Sequence, residues 1–107
     1  MIDIPVSVGE LIDKITILEI KNEKIRDEEK LINIRKELEL LNQKSTNIQV
    51  PEHLIQNLKE TNHTLWSIED SIRKKELLQE FDKEFIIMAR NVYKTNDKRS
   101  DIKKEIK

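Results

Sequence analysis

The sequence predicts an all-α protein of a few long antiparallel helices, a bundle or a helical hairpin that is completed by dimerisation. Three observations lead to this prediction. The 107 residues include one Gly and two Pro, and sheets and compact loops need more turn residues than that. Charged residues make up 38% of the chain and nearly cancel, leaving a net charge of −1, a balance typical of long amphipathic helices. Ile and Leu recur at helical spacing along most of the chain.

A chain of this length forms one domain, residues 1–107, with a modest core. It has no cysteine, which excludes disulfides and thiolate chemistry and is compatible with a reducing cytosol. No stretch is apolar enough for a membrane span, and the N-terminus lacks a signal-peptide pattern. We therefore expect a cytoplasmic protein that has no contact with a membrane.

The N-terminal half predicts an extended arm and two helices. Residues 1–7 alternate apolar and polar side chains around Pro5, which disfavours helix at the preceding residue. Ser7 and Glu10 then form a capping box that starts a helix over residues 8–25. This helix is apolar on two sides, so we expect it to be the most buried element. Asp27 can cap a second helix over residues 28–43, although one continuous kinked helix would give a similar pattern.

The C-terminal half predicts two longer helices. Residues 42–50 form a polar loop ended by Pro51, which suits the first turn of a helix over residues 51–79. Asp82 can cap a fourth helix over residues 83–106. The apolar stripes of these two helices are Leu54, Leu58, Leu65, Ile68 and Ile72, and Phe85, Met88, Ala89, Val92, Ile102 and Ile106.

Helices this long leave apolar faces uncovered in so small a domain. At about 1.5 Å per residue, the last two extend roughly 36–42 Å each. A homodimer with coiled-coil-like packing is therefore the expected assembly, and Ile, Leu or Met side chains left exposed on the first, third or fourth helix would form the contact.

Several polar residues fall within the apolar stripes when each helix is projected at 100° per residue. They are Glu19, Asn22, Asn62, Glu69, Arg73, Asn96 and Arg99. Burying a charge is costly unless it is paired, so the balance of signs suggests that these groups meet, with Glu69 and Arg73 near Asn96 or Arg99. They could form a structural network that fixes helix register. Alternatively, they could line a pocket in which Arg73 and Arg99 hold an anionic small molecule.

Four segments carry a resemblance to a known family. They are S-V-G-E-L-I-D-K-I-T-I-L-E-I-K (Ser7–Lys21), R-K-E-L-E-L-L (Arg35–Leu41), L-W-S-I-E-D-S-I-R (Leu65–Arg73) and A-R-N-V-Y-K-T-N-D-K-R (Ala89–Arg99). Together they resemble a family of small bacterial and phage proteins catalogued as a domain of unknown function. The resemblance implies a stand-alone helical protein and carries over no catalytic residue.

The sequence excludes some functions and leaves others open. His53 and His63 lie on different helical faces, and the lone Gly9 cannot build a phosphate-binding loop, so we expect no metal and no cofactor. The basic C-terminal stretch is interrupted by acids, so nucleic-acid binding is not expected. A non-catalytic interaction or scaffold protein, with a possible protein partner, is the favoured function. The alternative is an anionic-metabolite binder or a small helical enzyme similar to chorismate mutases, although the arginine expected just ahead of Ile12-Asp13 is absent.

Overall fold

The computed structural model describes residues 7–106 and places four helices and no strand in that range. They are α1 (Val8–Lys24), α2 (Glu28–Lys44), α3 (Glu52–Leu78) and α4 (Lys83–Glu105). The predicted all-α class is thereby confirmed. Apart from Ser7, the expected extended arm lies outside the described residues. No helix in the described part of the chain is long and apolar enough to cross a membrane.

Short polar side chains begin three of the four helices. Ser7 Oγ accepts from the backbone N–H of Glu10, and Asp82 accepts from that of Phe85. Asp27 accepts from the backbone N–H groups of Glu29 and Lys30. Because residues 25–27 are not helical and Asp27 caps the next helix, α1 and α2 are two separate helices.

α1 lies at the centre of the fold and packs against each of the other three helices. Buried side chains cover two of its sides, and Thr16, Leu18 and Ile20 are among its least exposed residues. The main core cluster joins α1 to the N-terminal part of α3 and the C-terminal part of α4. Its buried members are Ile12, Ile15, Leu54, Leu58, Ile102 and Ile106.

The remaining parts of α3 and α4, residues 69–95, form a two-helix arm that the other helices leave largely uncovered. The helices pack closely on each other and are joined by the short turn of residues 79–82, where Gln79 adopts a left-handed backbone (φ 55°). No side chain of residues 66–101 is buried. The predicted stripe residues Phe85, Met88 and Val92 are only half-buried, and Ala89 is exposed. The arm therefore has one packed interface and open flanks.

Candidate functional site

A buried carboxylate, that of Asp13 in α1, is the centre of the polar cluster. Asp13 is 4% exposed. Arg99 of α4 donates to both of its oxygens, from Nε to Oδ1 at 2.9 Å and from Nη2 to Oδ2. This two-pronged contact is the strongest geometry that a guanidinium and a carboxylate can form. It ties α1 to α4.

Asn62 brings α3 to the same carboxylate. Its Nδ2 group donates to Asp13 Oδ1 at 3.0 Å and to Thr16 Oγ1 at 2.9 Å. The hydroxyl of Thr16 in turn donates to the backbone carbonyl of Asp13 at 2.8 Å. Since both amide hydrogens of Asn62 are used, its Oδ1 atom is the acceptor left over. That atom is buried without a hydrogen-bond partner.

The start of α1 lies directly against the end of α4. Lys103 Nζ is 2.8 Å from Glu10 Oε1 and 3.9 Å from Asp13 Oδ2. The carboxylate of Glu10 therefore forms an ion pair with Lys103. Gly9 faces the backbone of Lys103 so closely that a Cβ atom there would clash with the Lys103 carbonyl oxygen. Only glycine permits this approach of the two helices.

The surroundings of Asp13 determine its charge. Burial raises the pKa of the carboxyl, but hydrogen bonds from Arg99 and Asn62 and the positive charges of Arg99 and Lys103 outweigh burial, so the pKa lies below its ordinary value of 3.8. The hydrogen bond to Asp13 is also the main cause that raises the pKa of Arg99, and the charge of Glu69 adds to this. Asp13 and Arg99 are thus a charged pair at neutral pH.

Four of the seven predicted site residues are brought together at this place. Asn62 and Arg99 are members of the network, and Asn96 Oδ1 accepts a longer hydrogen bond of 3.4 Å from Arg99 Nη1. Glu69 lies close enough to Arg99 to raise its pKa, but Asp13 is the carboxylate that Arg99 binds.

The other three predicted site residues lie elsewhere. Glu19 is 3.8 Å from Lys59 Nζ, within an ion-pair group on the α1–α3 surface. Asn22 accepts a hydrogen bond of 3.1 Å from Arg35 and so joins α1 to α2. Arg73 is exposed on the arm. Arg73 and Arg99 therefore do not form the arginine pair proposed for an anion.

Three residues of the network, Asp13, Thr16 and Lys103, were not predicted from the sequence. Asp13 and Thr16 lie outside the stripe of large apolar side chains on the first helix. The spacing nevertheless held a signal: Gly9, Asp13, Thr16 and Ile20 follow one another at intervals of four, three and four residues. That spacing defines a second, narrow helical face on which most side chains are small, and such a face suits a close helix contact.

A cavity of about 210 Å³ adjoins the network between α1, α3 and α4. It is lined by Ile17, Ile20, Lys21, Asn62, Leu65, Trp66, Glu69 and Arg99. Within residues 7–106, no three side chains of the types His, Asp or Glu converge as metal ligands. The network itself is a structural link in which the charges are paired. The cavity beside it is lined by charged groups that form no hydrogen bond or salt bridge with each other.

Comparison with known proteins places the chain in a family but assigns no activity. A sequence model described as a family of unknown function (DUF6165) matches residues 2–107. No curated protein and no solved structure matches the chain. The resemblance to a family of unknown function is thus confirmed, whereas the expected bacterial and phage origin stays a prediction.

Proposed function

The chain belongs to DUF6165, a family of unknown function. From its geometry we propose that it is a non-catalytic helical interaction protein that works as a homodimer. The observation that carries the proposal is the uncovered end of the α3–α4 arm. Six of the large apolar side chains with high exposure lie there, between residues 77 and 93. They are Leu77, Leu78, Phe81, Ile86, Ile87 and Tyr93, between 53% and 84% exposed.

The total exposed area of these six side chains approaches that of one side of a protein interface. At these exposures they present on the order of 700 Å² per chain, close to the roughly 800 Å² per partner of a standard protein interface. A second arm packed alongside would convert two half-covered helix pairs into a four-helix arrangement. A second copy is the occupant we favour, since two identical apolar arms can cover each other about a two-fold axis.

The turn at the end of the arm is held in place by charges. Lys75 Nζ lies 3.0 Å from Asp82, 3.4 Å from Glu84 and 3.5 Å from Glu80. The rings of Phe81 and Phe85 meet edge to face with their centroids 5.3 Å apart. An ordered end costs less conformational entropy on association than a loose one, which supports a role of the arm in binding.

The polar network supports a structural role over a catalytic one. A chorismate-mutase-like site would need several cations free to hold a dianion, but Arg99 spends two of its nitrogens on Asp13. Arg73 lies on the exposed surface of the arm. The same proposal includes a cytoplasmic location and the recruitment of a further protein partner. Cell fractionation with a tagged chain tests the location.

Sedimentation velocity tests the dimer. We expect the wild-type chain to sediment as a dimer at micromolar concentrations, and the Ile86→Lys and Leu77→Glu variants to sediment as monomers with unchanged helix content. Ile32→Lys is the matched control, because Ile32 is 49% exposed on α2, away from the arm. A wild-type monomer at high micromolar concentration would contradict the proposal, as would dissociation caused equally by Ile32→Lys.

A further inference from the structure

The cavity between α1, α3 and α4 contains opposite charges that the protein leaves uncombined. Lys21 of α1 and Glu69 of α3 both line it. Within residues 7–106, neither side chain has a hydrogen-bond or salt-bridge partner, although such pairs bridge most of the other helix contacts. A cation and an anion on the walls of one cavity that do not pair with each other leave room for a group that contacts both.

Arg99 adds donors to the same cavity. Its guanidinium has five N–H groups. One on Nε and one on Nη2 are used by Asp13, and one on Nη1 reaches Asn96 at the long distance of 3.4 Å. The remaining N–H groups stay available for an anionic oxygen beside the ammonium group of Lys21.

Asn62 supplies an independent sign that the site is incomplete. Asn62 is 4% exposed and lines the cavity, and its Oδ1 has no donor. The amide cannot be turned over to remedy this, because Nδ2 is held by the acceptors Asp13 and Thr16. Leaving a buried acceptor without a donor is unfavourable. A hydrogen-bond donor that enters the cavity beside Asn62 would supply what this oxygen lacks.

We propose that this cavity binds a small zwitterion of the size of a free amino acid. Its ammonium group lies between the carboxylate of Glu69 and the amide oxygen of Asn62, against the ring of Trp66. Its carboxylate lies between Lys21 and the spare N–H groups of Arg99. The apolar walls, Ile17, Ile20 and Leu65, take an aliphatic remainder.

The charges of the walls favour a zwitterion over simpler ligands. A plain anion would satisfy Lys21 but would be repelled by Glu69 and leave the Asn62 oxygen without a donor. A plain cation would satisfy Glu69 but would be repelled by Lys21. A volume of about 210 Å³ is also smaller than the roughly 300–1,000 Å³ of typical pockets for drug-sized ligands, which suits a molecule of this size.

The lone tryptophan gives a direct readout, because Trp66 lines the cavity and is the one Trp of the chain. We expect its fluorescence to change in a saturable way with at least one of the standard L-amino acids. The N-acetyl and the carboxamide derivatives of that amino acid each lose one charge, so each should bind about tenfold more weakly or worse. The dimer surface is not involved, so the titration is independent of the proposed assembly.

Two substitutions locate the ligand's charges. Glu69→Gln should weaken binding of the amino acid and of its carboxamide about tenfold but leave binding of the N-acetyl derivative unchanged. Lys21→Gln should weaken binding of the amino acid and of its N-acetyl derivative about tenfold but leave binding of the carboxamide unchanged. Both side chains are partly exposed and form no hydrogen bond or salt bridge within residues 7–106, so the variants should fold, and circular dichroism verifies this. Glu76→Gln, exposed on the same helix, is the control. The proposal is overturned if no amino acid gives a saturable response, if the derivatives bind as well as the parent, or if neither substitution changes binding.

Discussion

The carboxylate of Asp13 joins three helices because it offers acceptors on more than one side. Arg99 occupies both oxygens from α4, and Asn62 shares one of them from α3. A buried charge is retained only when its partners replace most of the hydration that it loses. The network therefore holds α1, α3 and α4 at one relative position, which an apolar contact alone would define less sharply.

Removal of the Asp13 charge should destabilise the protein. Asp13→Asn keeps the shape but strands the guanidinium of Arg99, so we expect a loss of about 2–3 kcal/mol in the free energy of unfolding. Glu69→Gln is the control: the sequence alone predicted Glu69 as a partner of Arg99, but Glu69 accepts no hydrogen bond from it, so the change should stay within about 0.5 kcal/mol. Urea denaturation measures both. Equal losses for the two variants would show that Asp13 is not the principal partner.

The same carboxylate should make stability depend on pH in acid. The pKa of Asp13 is lowered in the folded chain from its ordinary value of 3.8, so its contribution is complete above that pH and is lost as the pH falls through the folded value. The stability difference between the wild type and Asp13→Asn should therefore shrink as the pH falls from about 5 to about 2. Urea denaturation of both proteins across this range checks it. A difference that stays constant or widens would contradict a lowered pKa.

At the residue scale, the parts of the site that interrupt apolar stripes were predictable from the sequence. Asn62 and Arg99 lie in line with the large apolar residues of their helices, so the helical projection of the sequence identified them. Asp13 lies on a face made of Gly9, Thr16 and Ile20, which a search for large apolar residues passes over. The partner of Arg99 could not be predicted, because which carboxylate faces it depends on how α1 crosses α4.

The helices themselves were predictable because short polar side chains cap the N-termini of three of them. Ser7, Asp27 and Asp82 each cap a helix as the sequence indicates. The crossing of α1 and α4 was not predictable, since it depends on a backbone contact. Gly9 meets the carbonyl group of Lys103. Helical periodicity places Gly9 on a face that suits a close contact, but it does not identify Lys103 as the partner.

Gly9→Ala tests this contact between elements. In a free helix the change would stabilise by about 0.5–1 kcal/mol, but here the new methyl group would meet the backbone of α4. We expect a net loss of about 1–3 kcal/mol, since α4 must shift and strain the Asp13–Arg99 pair. Thermal unfolding measures it, with Lys98→Ala, exposed on α4, as the control. Unchanged or increased stability would mean that the two helices do not approach this closely.

At the scale of the whole molecule, the distribution of apolar surface is the dominant feature. The core gathers around α1, while the arm extends from it in a particle of 47 × 34 × 24 Å. Helix length and a limited apolar content were enough to predict uncovered faces. As the sequence predicted, α1 is the helix that the fold covers best. The sequence left open whether the uncovered faces lie on the first, third or fourth helix.

Hydrogen–deuterium exchange at two protein concentrations, one below and one above the association midpoint, tests the central claim most directly. Our account predicts that backbone amides of the arm, residues 69–95, exchange more slowly at the higher concentration, because a second arm covers them. Amides of α1 and α2 should exchange at the same rate in both samples. Slower exchange confined to α2, or rates that do not depend on concentration anywhere in the chain, would contradict a dimer formed through the arm.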